Sequence, residues 1–308
     1  MKFAARLNGF KTEGKKTLEI LKEISEIDKI NYVDLNYPEH FKDLDLHTLK
    51  KFMEESNIKI NSIALRFREE FKNGELGNCD YKLAEKAKKL CKEAIDIAKD
   101  LGVEIVTIWL GYDGFDYSFQ IPYEKIWKQL VKNFKEIAGY DKKIKISIEY
   151  KPFQPRAYSF IPSIGTTLLM IHDIDEENVG ITLDYCHMLM KGENPAYGLA
   201  IAAERNKLYG VHMNDGHGLN DDGLITGSIT FIQTLEFIYY LKKFRYEGVI
   251  YFDTFPVREK GSDEVKRNIE IFERIEKLIE KLGMEEIEEI INSNDAVKAQ
   301  IILLKCLK

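Results

Sequence analysis

Cysteine is scarce in this sequence and paired nowhere: Cys79, Cys91, Cys186 and Cys306 are scattered through 308 residues without a Cys-x-x-Cys motif. That pattern suits reduced thiols in a cytoplasmic protein and excludes a disulfide frame. No apolar run reaches the roughly 18 residues a membrane span needs. The opening MKFAARLNGF is also too short an apolar stretch to read as a signal sequence. Positive charge is not in surplus. A net charge of -6 and a pI near 5.7 leave no broad basic surface to neutralise phosphates, so nucleic acid is not an expected partner. Low-complexity tracts and linkers are missing too, which leaves one globular unit with a short terminal addition.

What is present is alternation. Short β-branched runs trade places with longer runs of helical period along most of the chain, the pattern of βα units around a parallel sheet. Eight strands are expected, at 2–7, 32–37, 59–66, 104–110, 145–150, 180–185, 208–214 and 249–254. Amphipathic helices are expected at 17–27, 82–102 and 228–245, with Gly102 as a C-terminal stop, Ser228 as an N-cap, and Asn194-Pro195 as another helix start. Eight such units predict a (β/α)8 TIM barrel over residues 1–283, whose site lies at the C-terminal ends of the strands. Residues 284–308 read as a C-terminal helical extension that packs on its own barrel or clasps a neighbouring subunit.

Four side chains at that end carry the chemistry. Glu149 closes KISIEY, Asp184 closes VGITLD, His212 closes LYGVH and Asp253 closes GVIYFD. Each has an ordinary explanation alone: Glu149 pairs with Lys151, an aspartate caps a helix, a core histidine finds a partner. Together, three carboxylates and an imidazole at matching depth would repel or go unsatisfied without a cation. Such oxygen-rich donors suit Mn²⁺, Mg²⁺ or Co²⁺ better than a thiolate-seeking metal. His187 can join Asp184 only if the strand ends between them, with 188–195 as loop. The acidic, glycine-rich run 212–223 adds Asp215, His217, Asp221 and Asp222, as a solvated turn or as a second metal site.

At these residues the chain resembles the xylose isomerase-like superfamily, specifically sugar isomerases related to L-rhamnose isomerase and xylose isomerase. The motifs are Glu149-Tyr-Lys151-Pro-Phe, Asp184-x-x-His187, His212-Met-Asn-Asp215, Asp221-Asp222-Gly-Leu and Phe-Asp253-Thr. The resemblance implies a structural metal on Glu149, Asp184, His212 and Asp253, and a second, catalytic metal on His187 and the loop aspartates Asp221 and Asp222. It also implies that Lys151 donates to a substrate carbonyl oxygen. The family's usual Asp-x-Asp pair is absent here, which makes the second metal less secure than the first.

The implied reaction is aldose–ketose isomerisation of a sugar, by hydride or proton transfer between C1 and C2. Trp109 is expected to wall the substrate with Phe67 and Phe255, Asp113 and His187 to contact it, and His40 to serve ring opening as acid–base group. The alternative within the fold is a single-metal ketose epimerase using Glu149 and Asp253 as its acid/base pair. A non-catalytic metal- or sugar-binding barrel is the alternative outside enzymology. An endonuclease is disfavoured by only six histidines and the low pI. By family analogy the protein is a homo-oligomer, dimer or tetramer.

Overall fold

Eight parallel strands close on themselves, each delivered by a helix on the outside. The computed structural model describes residues 1–12 and 14–307; Lys308, the end of the expected extension, lies outside them. The strands are β1 (Lys2–Arg6), β2 (Ile30–Tyr37), β3 (Lys59–Leu65), β4 (Ile105–Trp109), a two-residue β5 (Gly114–Phe115), β6 (Lys145–Glu149), a two-residue β7 (Tyr158–Ser159), β8 (Val179–Asp184), β9 (Leu208–Met213) and β10 (Val249–Phe252). All but β5 and β7 form the closed barrel, in which β10 pairs with β1 to complete the ring. β5 and β7 make a small antiparallel ribbon that the alternation did not reveal.

The helices are α1 (Thr17–Ser25), α2 (Leu46–Glu55), α3 (Tyr81–Leu101), α4 (Tyr123–Ala138), α5 (Ile164–Ile174), α6 (Tyr185–Lys191), α7 (Pro195–Glu204), α8 (Phe231–Lys243) and α9 (Gly261–Leu282). Gly102 ends α3 with a positive φ of 68°, and Asn194 caps α7 with Pro195 in its first turn, both as expected. Two local expectations fail. α8 starts after Thr230 rather than Ser228, because Asp215 accepts from the amides of Ile229 and Thr230 and so caps it from a distant loop. The stretch from 188, expected as loop, instead continues α6 to Lys191, since Asp184 caps that helix by accepting from the His187 amide.

Packing separates an apolar shell from a more polar lumen. Outward-facing Ile146, Ile148, Ile181, Leu183, Val211 and Met213 are buried under the helices, as strands covered on both sides require. Their inward-facing neighbours are small or hydroxylated. Ser147 bonds Thr182 at 2.6 Å, and Ser62 bonds Thr107 at 2.8 Å across adjacent strands. Ala4, Tyr32, Val249 and Tyr251 form a separate apolar plug, with the Tyr251 ring 4.7 Å from that of His212. Because side chains alternate with period two, the residues two steps beyond Ser147 and Thr182 point the same way. Those residues are Glu149 and Asp184.

After α9 come α10 (Met284–Asn292) and α11 (Ala296–Cys306). Ile287 is buried, and Met284, Ile302 and Cys306 pack against the barrel's core, while Lys243 reaches Glu288 at 2.9 Å. The extension therefore lies on its own barrel. Among the described residues no helix is long and apolar enough to cross a membrane.

Candidate metal centre and substrate cavity

Strand register brings the predicted ligands together. Glu149 stands beside Thr182, Asp184 beside His212, and His212 beside Tyr251, so Asp253 follows one step past β10. One donor atom each from Glu149, Asp184, His212 and Asp253 lies within 4.8 Å of the others, and all four residues are buried. Lys151 does not neutralise Glu149; it bonds Asp221 instead, 2.9 Å away.

The donors fit a cation on structural grounds. His212 Nδ1 is buried without a hydrogen-bond partner, 3.5 Å from Glu149 Oε1 and 3.9 Å from Asp253 Oδ2. Its other nitrogen faces Asp34 Oδ2 at 3.9 Å, and Asn61 bonds the second oxygen of that aspartate at 2.8 Å. An imidazole backed by a carboxylate, with its free nitrogen among carboxylates, is the usual environment of a metal ligand. Without an ion, protons replace it. Burial pulls the His212 pKa down, but Glu149, Asp253 and Asp34 outweigh that and leave it raised to about 9. Burial pushes Glu149 up, yet the two histidines and Arg66 bring it down to about 2. A cation entering this cluster would displace the imidazole proton.

A second cluster adjoins the first through Asp184. Donor atoms of Asp184, His187 and Asp221 also meet within 4.8 Å. His187 donates from Nδ1 to the Tyr150 carbonyl at 2.8 Å, which leaves Nε2 facing Asp221 Oδ2 at 3.3 Å. That same oxygen takes the Lys151 ammonium. Asp222 is not part of the cluster: its Oδ2 accepts from the His217 amide. The i, i+3 pair 184 and 187 converge because β8 stops at Asp184 and helix begins there.

Above the clusters a cavity of about 170 Å³ is lined by Glu149, His187, Asp221, Asp253, Trp109 and Phe255, and by four residues the sequence did not single out: Arg6, Asn8, Arg66 and Arg68. Arg6 Nε sits 2.8 Å from Asp253 Oδ1 and its guanidinium covers the Phe255 ring. Arg66 lies over the Trp109 ring, whose other neighbour is the Lys151 ammonium. Arg6 and Arg66 close the first and third strand runs, a position where a long cation looks like ordinary surface; only the closed barrel turns it inward. The larger concavity of about 950 Å³ lies at the opposite end of the barrel, around Lys2, Lys59 and Val249, and among the described residues it contains no ligand cluster.

Three expected substrate-site residues are placed elsewhere. His40 is buried with Nδ1 accepting from the Asn36 amide and Nε2 donating to Asn8 at 3.1 Å, and burial lowers its pKa to about 4. Both nitrogens are used in holding the loop after β2, so an acid–base role in ring opening has no free atom. Asp113 is buried and accepts from the amides of Glu75 and Gly77, each at 2.7 Å, which makes it an anchor for the segment between β3 and α3. Phe67 is buried against Phe71 and does not line the cavity.

Known proteins share this arrangement of strands. The xylose isomerase of Thermus thermophilus is 24% identical over 236 residues, which are 74% of this chain and 61% of that enzyme. The chain thus spans less than two thirds of that relative. Among solved structures, L-ribulose 3-epimerase superposes with a TM-score of 0.74 at 16% identity, covering 91% of this chain and 97% of that one. The IolI protein, solved with a bound zinc atom, gives 0.70 at 18% identity, covering 89% and 98%. Residues 22–275 match the model of one family, and by that match the chain belongs to the xylose isomerase-like TIM barrel family.

Proposed function

We propose that the protein is a divalent-metal-dependent enzyme that interconverts isomeric sugars by moving hydrogen at the carbon beside a carbonyl. The observation that carries this reading is that two carboxylates of the four-donor cluster, Glu149 and Asp253, also line the cavity. A bound ion, Mn²⁺ by preference of the donor set with Mg²⁺ or Co²⁺ as substitutes, would polarise a substrate carbonyl and its neighbouring hydroxyl. Glu149 at the end of β6 and Asp253 just past β10 then stand at the two flanks of the ligand cluster, where a carboxylate oxygen can take or return a proton. His187 and Asp221 face the same cavity and can orient hydroxyls. Trp109 and Phe255 supply apolar walls that keep water from the reacting carbon.

Aldose–ketose isomerisation and ketose epimerisation both follow from such a step. Lys151 favours the first if it donates to the carbonyl oxygen. One observation favours the second: Lys151 is held on Asp221, and that ammonium neutralises the second cluster, so the site works with one ion and two flanking carboxylates. The similarity to both a xylose isomerase and a ketose 3-epimerase supports the class without dividing it.

The deciding experiment incubates Mn²⁺-loaded protein with pentoses, hexoses and shorter sugars in D₂O and follows products by NMR. Proton transfer incorporates solvent deuterium at the product carbon, whereas a hydride shift carries the original hydrogen. Deuterium at C3 of a ketose assigns epimerisation; an aldose–ketose product assigns isomerisation, by proton transfer where deuterium enters at C1 or C2 and by hydride shift where it does not. Absence of metal-dependent turnover across the panel would sink the enzymatic reading and leave a metal-binding barrel.

A further inference from the structure

The arginine side of the cavity is better suited to an anion than to a neutral sugar. The charged groups around it are paired, with one exception. Arg6 faces Asp253, Arg68 pairs with Glu39, and Lys151 with Asp221. Arg66 bonds only through Nε, to the neutral Asn36 side chain at 3.2 Å; among the described residues its terminal nitrogens have no hydrogen bond or ion pair. Its guanidinium lies 5.3 Å from the Trp109 ring centroid, and the Nε1–H of Trp109 is itself buried without an acceptor. The buried Trp109 donor lacks an acceptor, which costs free energy unless a ligand supplies one, and beside it the half-buried Arg66 fork opens to the cavity.

The ion sharpens this imbalance. The carboxylates closest in influence to Arg66 are Glu149 and Asp253, both members of the four-donor cluster. A divalent cation would cancel two of the three carboxylate charges of that cluster and so weaken the hold of Glu149 and Asp253 on the Arg66 guanidinium. A guanidinium whose fork is free in a pocket is matched by carboxylate or phosphate geometry. The cavity, about 170 Å³, is also below the roughly 300–1,000 Å³ of pockets that take drug-sized ligands.

We propose that the substrate is a small polyhydroxy compound bearing an anionic group, a sugar acid or sugar phosphate, whose anion is held by Arg66 at the Trp109 wall. The proposal rests on the isomerase reading for the identity of the site but not on turnover. Arg66 is a binding residue beside the cluster where hydrogen is moved, since Trp109 is the register neighbour of Glu149.

Calorimetric titration of Mn²⁺-loaded protein tests it with three probes of equal carbon number: erythritol, erythronate and erythritol 4-phosphate. The wild type is expected to bind at least one anionic probe tenfold or more tightly than erythritol, and which one separates carboxylate from phosphate. Arg66→Met is expected to bind all three alike, and Arg66→Lys to keep part of the preference, with Mn²⁺ content and thermal melting of each variant checked in parallel. Because anions also ligate Mn²⁺, a preference that survives in Arg66→Met would overturn the proposal. So would equal binding of the three probes by wild type, or no binding at all. None of these results bears on whether neutral sugars are turned over, so the isomerase reading stands or falls separately on the deuterium experiment.

Discussion

The two halves of the barrel mouth are built from opposite shortages. On β6, β8, β9 and β10 the side chains are acceptors with too few donors: His212 Nδ1 and Asp253 Oδ1 are buried without a hydrogen bond. On β1 and β4 they are donors with too few acceptors, Arg6 Nε and Trp109 Nε1 being buried without a hydrogen bond, and just past β3 Arg66 bonds only through Nε. The close approach of Arg6 to Asp253, 2.8 Å without hydrogen-bond alignment, is where the halves meet. A fold that buried these groups merely for stability would pair them across the mouth. Their separation leaves room for a cation on one side and an anion on the other.

Removing a ligand should break the acceptor half outright. Glu149→Gln is expected to weaken Mn²⁺ binding by more than the roughly 10–100-fold that loss of an outer-shell partner costs, and to abolish turnover. The Mn²⁺-dependent rise in melting temperature, which follows the ratio of free ion to Kd, should vanish with it. Metal analysis after gel filtration checks the first point and a melt with and without Mn²⁺ the second. Unchanged metal content in the variant would remove Glu149 from the ligand set.

Much of the acceptor half was legible in the chain, and the reason is physical. Glu149, Asp184, His212 and Asp253 stand out because a carboxylate or imidazole ending an apolar β run is costly unless something compensates it. Arg6 and Arg66 end similar runs without standing out, since a long basic side chain at a strand end normally reaches water. Asp34 hid for another reason: it lies in the middle of INYVDLNY, where only the inward pleat of a closed barrel reveals that it backs His212. For His40, Asp113 and Phe67, proximity to a strand end does not bring access to the cavity. In each case local bonds or packing had already used the side chain.

Not every buried carboxylate waits for an ion, and Glu75 shows a second solution. It is fully buried and accepts from the Tyr112 amide at 2.9 Å, with Asp113 in the same pocket. Burial first, and then the charge of Asp113, push its pKa up to about 9. The folded protein thus keeps a proton that the unfolded chain releases near pH 4.5, so stability declines as pH rises from there through about 9. Glu75→Gln carries no such proton and still offers an acceptor. Its stability relative to wild type is expected to grow between pH 5 and pH 9, by on the order of a few kcal/mol. Denaturant midpoints at several pH values measure it; parallel curves for the two proteins would place the proton elsewhere.

Asp34 joins the halves, since it stands on β2 yet serves a ligand on β9. Asp34→Asn keeps the bulk but removes the charge behind His212 Nε2, 3.9 Å away. Metal affinity should fall by about 10–100-fold, less than for Glu149→Gln, with the fold retained. An affinity equal to wild type would detach Asp34 from the metal centre and confine it to its bond with Asn61.

Asp215 supplies the contrast with the smallest expected effect on chemistry. It is as buried as the ligands and only three residues from His212 in sequence, yet its oxygens are fully engaged. They accept from the amides of Gly216, Ile229 and Thr230 and from the Thr230 hydroxyl, at 2.8–3.0 Å. A carboxylate so supplied has little left for an ion, and its work is to cap α8 and close the loop that carries Asp221. Asp215→Ala is therefore expected to cost about 2 kcal/mol of stability, in the range of a strong helix cap, while Mn²⁺ affinity changes less than tenfold. If the variant instead lost its metal at full stability, donor count would be the wrong criterion for telling ligand carboxylates from structural ones, and the division of the mouth into two unsatisfied halves would lose its basis.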